Sequence, residues 1–349
     1  MGLGIKSDYD RWLEAEKVPV FSGFNVPNLK EIELEPWDRI GGKVMYILLD
    51  GAENTNDAYV AEIAPTKQLK VERHLYEEVI YILKGRGATT VWHEEEKKQA
   101  FEWQEGSLFL IPPNAFHQLY NTSGSEPARF YAVTTAPLLI NYFHNHDFVF
   151  NNDFRFTDRF NGDRDFFSGK GTTMPERRWG TNFIPDVRSF PLQTWKERGA
   201  GGKNVMLELG DNALVAHISE FPLGTYKKAH RHGPGAHVII VEGRGFSLLW
   251  REGEEKKKVD WEAGSVLVPP NMVFHQHFNT GNTPARYLAI RWGSKKHPVF
   301  SGWSNVTQNL KQGGNQIEYE DEDPAVRRLF EQELAKNNAK SKMPVTHKK

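Results

Sequence analysis

The sequence contains no cysteine among its 349 residues. This absence excludes disulfide bridges, thiolate metal sites, iron–sulfur clusters and a cysteine nucleophile. An excess of one charge is also missing, because 44 basic residues are balanced by 45 acidic ones and the net charge is −1. A near-neutral chain gives no electrostatic reason to expect binding to nucleic acid or to an anionic membrane surface.

Long apolar runs are missing as well. No stretch approaches the roughly 18 apolar residues that a membrane span needs, and residues 1–17 have no signal-peptide pattern. These absences predict a cytoplasmic protein with no membrane partner. The sequence is rich in aromatic residues instead, with 10 Trp and 22 Phe, which suits β-rich cores and aromatic-lined pockets.

A series of short strand-like segments occurs twice along the chain, separated by Gly, Pro and Asn. The two copies keep an offset of 158 positions at seven residue pairs: His74/His232, Gly85/Gly243, Trp92/Trp250, Trp103/Trp261, Gly106/Gly264, His117/His275 and Asn121/Asn279. A constant offset over this length indicates a duplicated domain, and short strands of even spacing are typical of a sandwich or barrel.

The duplication divides the chain into five parts. We predict a lead-in segment over residues 1–40, a first β-domain over 41–140 and a second over 196–300. Residues 141–195 form an aromatic-rich connector, expected to pack across a barrel face or a subunit interface. Residues 301–349 contain a helix, signalled by Asp323-Pro324, and a polar tail.

A histidine cluster in the second copy predicts a metal site. His230 and His232 are two residues apart on an extended segment, so both side chains point to the same side. His275 follows a Pro-Pro turn and can return on a neighbouring strand. Three imidazoles bind a divalent transition metal and leave coordination positions open for a substrate.

The motifs around these histidines resemble those of the cupins. The matching residues of the first half are His74, Glu78, Gly85, Gly106, Pro112, His117 and Asn121. Those of the second half are His230, His232, Gly243, Gly264, Pro270, His275 and Asn279, with Ala236 at the usual glutamate position. The resemblance implies an all-β fold of two tandem cupin barrels, each a double-stranded β-helix or jelly roll, with a short N-terminal segment and a C-terminal helix.

The first half offers a second candidate metal site. Its ligands would be Glu72, His74, Glu78 and His117, with Glu72 in the place of the first cupin histidine. Two carboxylates would cancel the charge of a divalent ion and make it a poorer Lewis acid. A degenerate structural site and a functional one both remain open for this half.

The second half is similar to the gentisate 1,2-dioxygenase group, which includes salicylate dioxygenases. The similarity rests on the HRH sequence, the loss of the glutamate at Ala236 and the later HxH of His275 and His277. It implies mononuclear non-haem Fe(II), with Mn, Ni or Zn as alternatives, and O2 as co-substrate. The substrate would be an anionic hydroxylated aromatic carboxylate. In that group the working site lies in the N-terminal cupin, whereas here the matching motif is C-terminal.

Three further residues are candidates for catalysis. His277 should face inward beside His275 and donate a proton or hold the substrate. His237 falls one place off the glutamate register, at the pocket rim or on the outer face. Arg291 can pair with a substrate carboxylate, and alternation places it opposite to Arg286.

Two other functions stay open at this point. One is a metal-dependent cupin enzyme that does not use O2, such as a decarboxylase, isomerase or lyase, and O2 consumption separates it from a dioxygenase. The other is a non-catalytic metal- or ligand-binding cupin, which a metal assay tests. Because cupin sheets commonly pair across a two-fold axis, we also expect a homo-oligomer.

Overall fold

The computed structural model describes residues 5–300 and 305–344. Over these ranges the first half forms β1 (Val20–Gly23), β2 (Asn25–Val26), β3 (Glu35–Trp37), β4 (Gly42–Leu49), β5 (Asp57–Ile63), β6 (Glu78–Lys84), β7 (Arg86–Trp92), β8 (Gln99–Gln104), β9 (Leu108–Ile111), β10 (Phe116–Asn121) and β11 (Ala128–Thr134). The connector forms β12 (Thr172–Met174), β13 (Arg178–Thr181), β14 (Phe183–Ile184) and β15 (Gln193–Thr194).

The second half repeats this series. Its strands are β16 (Lys203–Leu209), β17 (Leu214–Phe221), β18 (His237–Glu242), β19 (Arg244–Trp250), β20 (Lys257–Glu262), β21 (Val266–Leu267), β22 (Phe274–Asn279) and β23 (Ala285–Trp292). The helices are α1 (Asp8–Glu16), α2 (Ala136–Phe143), α3 (His146–Asn151) and α4 (Pro324–Lys336). Short 3₁₀ turns occupy Asp50–Ala52, Glu95–Lys97, Lys196–Arg198 and Leu310–Gln312.

Each half folds into a large sheet that faces a three-stranded sheet. The small sheets have the orders β10-β7-β8 and β20-β19-β22, and the central strands of the large sheets run β4-β5-β11-β6-β9 and β16-β17-β23-β18-β21. Apolar residues alternate with exposed ones along β8 and β20, as expected for strands with one face towards a core. The predicted pair of tandem all-β barrels with a C-terminal helix is therefore confirmed.

The two barrels pack back to back through their large sheets. Val60 and Tyr131 of the first barrel and Ile218 and Leu288 of the second are all fully buried in one shared apolar cluster. Because side chains alternate along a strand, the neighbours of these residues point into the barrels instead. The same strands thus build both the inter-barrel core and the barrel interiors.

Two short strands cross between the barrels. β2, which precedes the first barrel, pairs with β21 of the second, and β14, which precedes the second barrel, pairs with β9 of the first. Matching hydrogen bonds fasten both crossings. Ser107 Oγ donates to Pro185 O at 2.8 Å, and Ser265 Oγ donates to Pro27 O at 2.6 Å.

The terminal helices cover one barrel each. α1 begins at the Ser7 capping box and buries Trp12, which packs on Tyr46 and Phe150. α4 begins at Pro324 after an Asp323 cap and packs on the second small sheet. Among the described helices, none has the length and apolar character needed to cross a membrane.

The connector is anchored by its aromatic residues. Phe167 stacks on Phe101 of the first barrel with ring centroids 4.1 Å apart, and Phe160 packs on Phe166 and Phe167. Part of the predicted C-terminal tail, residues 345–349, lies outside the described residues.

Candidate metal centres

The three histidines of the second barrel converge on one point. His230 and His275 exchange two backbone hydrogen bonds, with N–O distances of 3.0 and 2.8 Å, which places their side chains next to each other. His232 lies two residues further along the same extended segment. One ring nitrogen from each of the three lies within 4.8 Å of the other two. All three side chains are buried.

The backbone fixes which ring nitrogen each histidine offers. Nδ1 of His232 lies 2.8 Å from Gly233 O, Nδ1 of His275 lies 3.1 Å from Val273 O, and Nδ1 of His230 lies 3.4 Å from Lys228 O. A carbonyl oxygen only accepts, so each Nδ1 carries the proton and each Nε2 keeps its lone pair. This is the tautomer that a metal ligand requires.

Burial also keeps these imidazoles neutral. Loss of solvation holds the pKa of His230 and the pKa of His232 well below the usual range and lowers the pKa of His275 to about 4. Neutral imidazoles bind a cation without first losing a proton. The residues present therefore fit a divalent transition metal with three nitrogen ligands.

His277 lies one step deeper in the same barrel. Its ring centroid is 5.6 Å from that of His275 and 5.5 Å from that of Tyr287. Ser247 Oγ lies 2.7 Å from His277 Nδ1 and accepts a hydrogen bond from Trp261 Nε1 at 3.0 Å. The serine thus orients His277 and leaves its Nε2 for a substrate. Burial holds the pKa of His277 well below its usual range, so the ring is neutral at pH 7.

Buried cations surround this site. Lys227 and Arg198 are 1% and 2% exposed, and Lys227 Nζ contacts Ser219 Oγ and Tyr287 OH, the latter at 3.0 Å. Arg291 is partly buried and donates from Nε to His217 Nδ1 at 3.1 Å. Burial lowers the pKa of Arg291 to about 9 and the pKa of Arg198 to about 10. Both guanidinium groups still carry their charge at pH 7.

The first barrel holds a different ligand set. His74 Nε2 and His117 Nε2 lie 3.2 and 3.9 Å from Glu78 Oε2. Their Nδ1 atoms face Tyr76 O at 3.0 Å and Ala115 O at 3.3 Å, which again leaves Nε2 for a metal. His74, Glu78 and His117 have ligand atoms within 4.8 Å of one another. Two imidazoles and one carboxylate fit a divalent metal as well.

Glu78 is held as a carboxylate. Burial acts to raise its pKa, but the hydrogen bond and charge of His74 outweigh this and lower the pKa below its usual value. Tyr59 OH also donates to Glu78 Oε1. Burial raises the pKa of nearby Glu72 to about 7. The interior of the first barrel is thus acidic, whereas that of the second is cationic.

Most of the predicted site residues come together, with two exceptions. Glu72 exchanges backbone hydrogen bonds with His117, as His230 does with His275, but its carboxylate is not part of the compact set of His74, Glu78 and His117. His237 does not join the second-barrel site.

His237 points away from the barrel interior. Tyr131 OH lies 2.7 Å from His237 Nδ1, and Asn56 Oδ1 lies 3.3 Å from its Nε2, both in the first barrel. The cause is strand alternation: Val238, the next residue, packs in the second-barrel interior. The expected rim or catalytic role of His237 at the histidine site has no geometric support, and we do not propose it.

Sequence reasoning missed four polar residues inside the second barrel: Arg198, His217, Lys227 and Tyr287. The offset of 158 could have found two of them, because it aligns Arg198 with Ile40 and Lys227 with Leu69. A cation in one copy at the position of an apolar residue in the other indicates that the two barrel interiors differ in polarity. Arg291, by contrast, lies where it was expected, beside the site, while Arg286 binds Glu220 outside the barrel.

Comparisons with known proteins agree with this geometry. A family model described as a cupin domain matches residues 59–134. Auxin-binding protein T85 from Nicotiana tabacum is 28% identical over 120 residues, which cover 32% of this chain and 64% of that protein. Auxin-binding protein T92 from the same organism matches with the same identity and coverage. The chain thus spans just under two thirds of the length of these relatives.

Solved structures extend the likeness to both barrels. Oxalate decarboxylase from Bacillus subtilis at pH 4.6 aligns with a TM-score of 0.52 and 14% identity over 78% of this chain and 76% of that chain. A formate complex of oxalate decarboxylase from Lactobacillus farciminis aligns with a TM-score of 0.53 and 13% identity over 88% and 96%. Such low identity establishes the fold and not the reaction.

These comparisons support the cupin part of the sequence resemblance. The similarity to gentisate dioxygenases rests on the sequence of the second barrel alone, namely its HRH segment, Ala236 and the later HxH. With a matched cupin domain in the first barrel and a duplicate of it in the second, the chain is a bicupin in fold, and each barrel presents a candidate metal site.

Proposed function

We propose that this protein is a metal-dependent enzyme whose second barrel transforms a small carboxylate substrate without consuming O2. The observation that carries the proposal is the convergence of three neutral imidazoles, each with its Nδ1 facing a backbone carbonyl oxygen. His230, His232 and His275 would hold the metal, which would supply a Lewis acid to the substrate.

The charge difference between the barrels favours the second as the reactive one. Three neutral ligands leave a divalent ion its full charge, whereas Glu78 neutralises part of it in the first barrel. An anionic substrate is therefore attracted more strongly to a metal in the second barrel than to one in the first. The first barrel is better suited to hold a metal for structure.

Two side chains have defined roles in this proposal. His277 is neutral and oriented by Ser247. Its Nε2 accepts a proton from the substrate or forms a hydrogen bond with it. Arg291, held by His217, binds a carboxylate oxygen and orients the substrate. Neither residue lies in the three-histidine set, so both can act without losing the metal.

The reaction class follows from weighing two observations. The similar solved structures are oxalate decarboxylases, which favours the non-oxidative alternative: a decarboxylase, isomerase or lyase. Ala236 in place of a ligand glutamate sets the second barrel apart from oxalate-type sites and favours the other candidate, an Fe(II) dioxygenase of a hydroxylated aromatic carboxylate. Non-oxidative chemistry is also compatible with Mn, Ni or Zn.

A binding role without catalysis is supported by one finding, the similarity to two auxin-binding proteins. It predicts that a carboxylate ligand binds and is recovered unchanged.

Turnover under controlled oxygen separates the three functions. The metal-loaded protein is incubated anaerobically with small aliphatic and aromatic carboxylates, and loss of substrate is followed by NMR. We expect anaerobic turnover that His232→Ala abolishes. Turnover that requires O2 and consumes it would replace the proposal with the dioxygenase, and tight binding of a carboxylate that is recovered unchanged, with or without O2, would replace it with a binding protein.

A further inference from the structure

The duplication provides an internal comparison for the cations of the second barrel. Lys70 N donates to Ile40 O at 2.8 Å, and at the equivalent place Lys228 N donates to Arg198 O at 3.1 Å. The backbone therefore has the same path in both copies, but the first copy carries Ile40 where the second carries Arg198.

The backbone also has the same path at the preceding residue, Leu69 in the first copy and Lys227 in the second. Leu69 N donates to Leu119 O at 2.9 Å, and Lys227 N donates to His277 O at 3.1 Å. Ile40 and Leu69 are both buried in the apolar interior of the first barrel. Because this fold is built with apolar residues at both positions, Arg198 and Lys227 are not needed to form a barrel.

The two cations are buried without a carboxylate partner among the described residues. Glu318, whose charge acts on Arg198, forms its ion pair with Lys228. Glu220, whose charge acts on Lys227, is paired with Arg286 at 3.0 Å. Burial of a cation without a counter-charge is costly, so its presence requires a compensating function.

Neutral groups hold the cations and leave part of their hydrogen-bonding capacity unused. Arg198 Nη1 donates to Gln316 Oε1 at 3.0 Å, while its Nε is buried and has no partner. Lys227 Nζ donates to two hydroxyl oxygens, those of Ser219 and Tyr287. Hydroxyl and amide oxygens orient a cation but do not neutralise it.

Both cations face one aromatic wall next to the three histidines. The Arg198 guanidinium lies 4.8 Å and the Lys227 ammonium 5.8 Å from the ring centroid of Trp195. Gln316, which binds Arg198, forms a backbone bridge with His230. The pair therefore adjoins the proposed metal site, and together with a divalent ion it places four positive charges around one interior.

We propose that Arg198 and Lys227, with Tyr287, form an anion-binding subsite beside the three-histidine site, and that the substrate is a small dicarboxylate. One carboxylate binds this subsite while the other lies at the metal and Arg291. The inference rests on the proposed function in taking the three-histidine site as the place where substrate and metal bind. A dianion balances half of these four positive charges, whereas a monocarboxylate balances only a quarter of them.

The test is ligand binding rather than turnover. The affinities of acetate, malonate and succinate for the metal-loaded protein are measured by titration calorimetry, with wild type, Arg198→Ile and Lys227→Leu. These substitutions copy Ile40 and Leu69 of the first barrel. Lys203→Leu, which removes an exposed cation of the same barrel, is the matched control.

We expect malonate or succinate to bind wild type at least about tenfold more tightly than acetate. Arg198→Ile and Lys227→Leu should each abolish this preference for dicarboxylates, and Lys203→Leu should keep it. Equal affinities for mono- and dicarboxylates in wild type, or a preference that survives both substitutions, would overturn the subsite. Preferential binding without turnover would instead leave the subsite standing and remove the proposed catalysis.

A milder variant keeps the subsite testable if Arg198→Ile or Lys227→Leu fails to fold. Tyr287→Phe copies Phe130 of the first barrel, removes one hydroxyl and adds no volume. It should weaken dicarboxylate binding several-fold and leave acetate binding unchanged. Unchanged dicarboxylate affinity in this variant would contradict a subsite that includes Tyr287.

Discussion

His277 distinguishes the deeper interior of the second barrel from that of the first. The two copies share a hydroxyl that accepts from a tryptophan: Thr89 from Trp103 at 2.9 Å, and Ser247 from Trp261 at 3.0 Å. Only in the second copy does this hydroxyl face an imidazole, because Leu119 occupies the equivalent place in the first. The fold therefore does not need His277.

Replacing His277 with leucine tests its role at the residue scale. His277→Leu should keep the metal content of wild type, because His277 is outside the ligand set, and should lower kcat by roughly 10²- to 10⁴-fold through loss of proton transfer. Metal analysis and steady-state kinetics on an accepted carboxylate measure both effects. An unchanged kcat would remove His277 from the reaction.

Asp57 links stability to pH in the first barrel. It is fully buried, accepts hydrogen bonds from Tyr9 OH and Thr134 Oγ1, and burial raises its pKa to about 7. A raised pKa in the folded state stabilises the protein fully below pH ~4, and this contribution is lost as the pH rises through about 7.

Asp57→Asn should therefore remove part of the pH dependence of folding. Relative to wild type, the variant should gain stability between pH 5 and pH 8, on the order of a few kcal/mol at most. Urea unfolding of both proteins at the two pH values gives the difference. A free-energy difference that is the same at pH 5 and pH 8 would show that Asp57 titrates normally.

The crossing strands β2 and β14 are two of the elements that join the barrels through hydrogen bonds. In each crossing one serine donates to a proline carbonyl of the other half and accepts from its own turn, where Gln104 N and Glu262 N each lie 3.0 Å from the serine oxygen. The crossings are thus chemically equivalent at the offset of 158.

Removing either serine should weaken the junction by a similar amount. Ser107→Ala and Ser265→Ala each leave buried polar groups unpaired, and each should cost about 1–3 kcal/mol of unfolding free energy. The double variant should show nearly additive costs, since the two sites share no partner. Chemical denaturation provides the values, and costs near zero would mean that the serine hydrogen bonds do not stabilise the junction.

These elements also show what could be predicted from the sequence. The longer strands, the duplication and the histidine triad follow from local alternation and a fixed spacing, so residues such as His232 and His275 were found directly. β2 and β14 have two residues each, and their partners lie in the other half of the chain. Local patterns carry no information on such pairing, so residues 1–40 and 141–195 read as a lead-in and a connector.

The side chains that were missed or misplaced have physical reasons too. Lys227 and Arg198 look like surface residues in a polar stretch, and only their alignment with Leu69 and Ile40 indicates that they are buried. His237 looked like a site residue because it is close to the motif. Which face of the strand its side chain points to depends on where β18 begins, and the observed start directs it to Tyr131 of the other barrel.

On the scale of the whole molecule, duplication has produced two interiors that carry different charged groups on one scaffold. The first keeps a carboxylate ligand and a set of buried tyrosines, and the second has exchanged them for neutral imidazoles and cations. A divalent metal bound in the first barrel would be half neutralised by Glu78, whereas one in the second would keep its full charge and attract an anionic ligand. This division of roles predicts that the two sites can be emptied independently.

The most direct test is the metal content of three purified proteins: wild type, His232→Ala and His74→Ala. We predict that His232→Ala loses one equivalent of transition metal per chain relative to wild type, and that His74→Ala retains the metal of the second barrel. Full wild-type metal content in His232→Ala, or metal lost only in His74→Ala, would contradict the assignment of the reactive site to the second barrel.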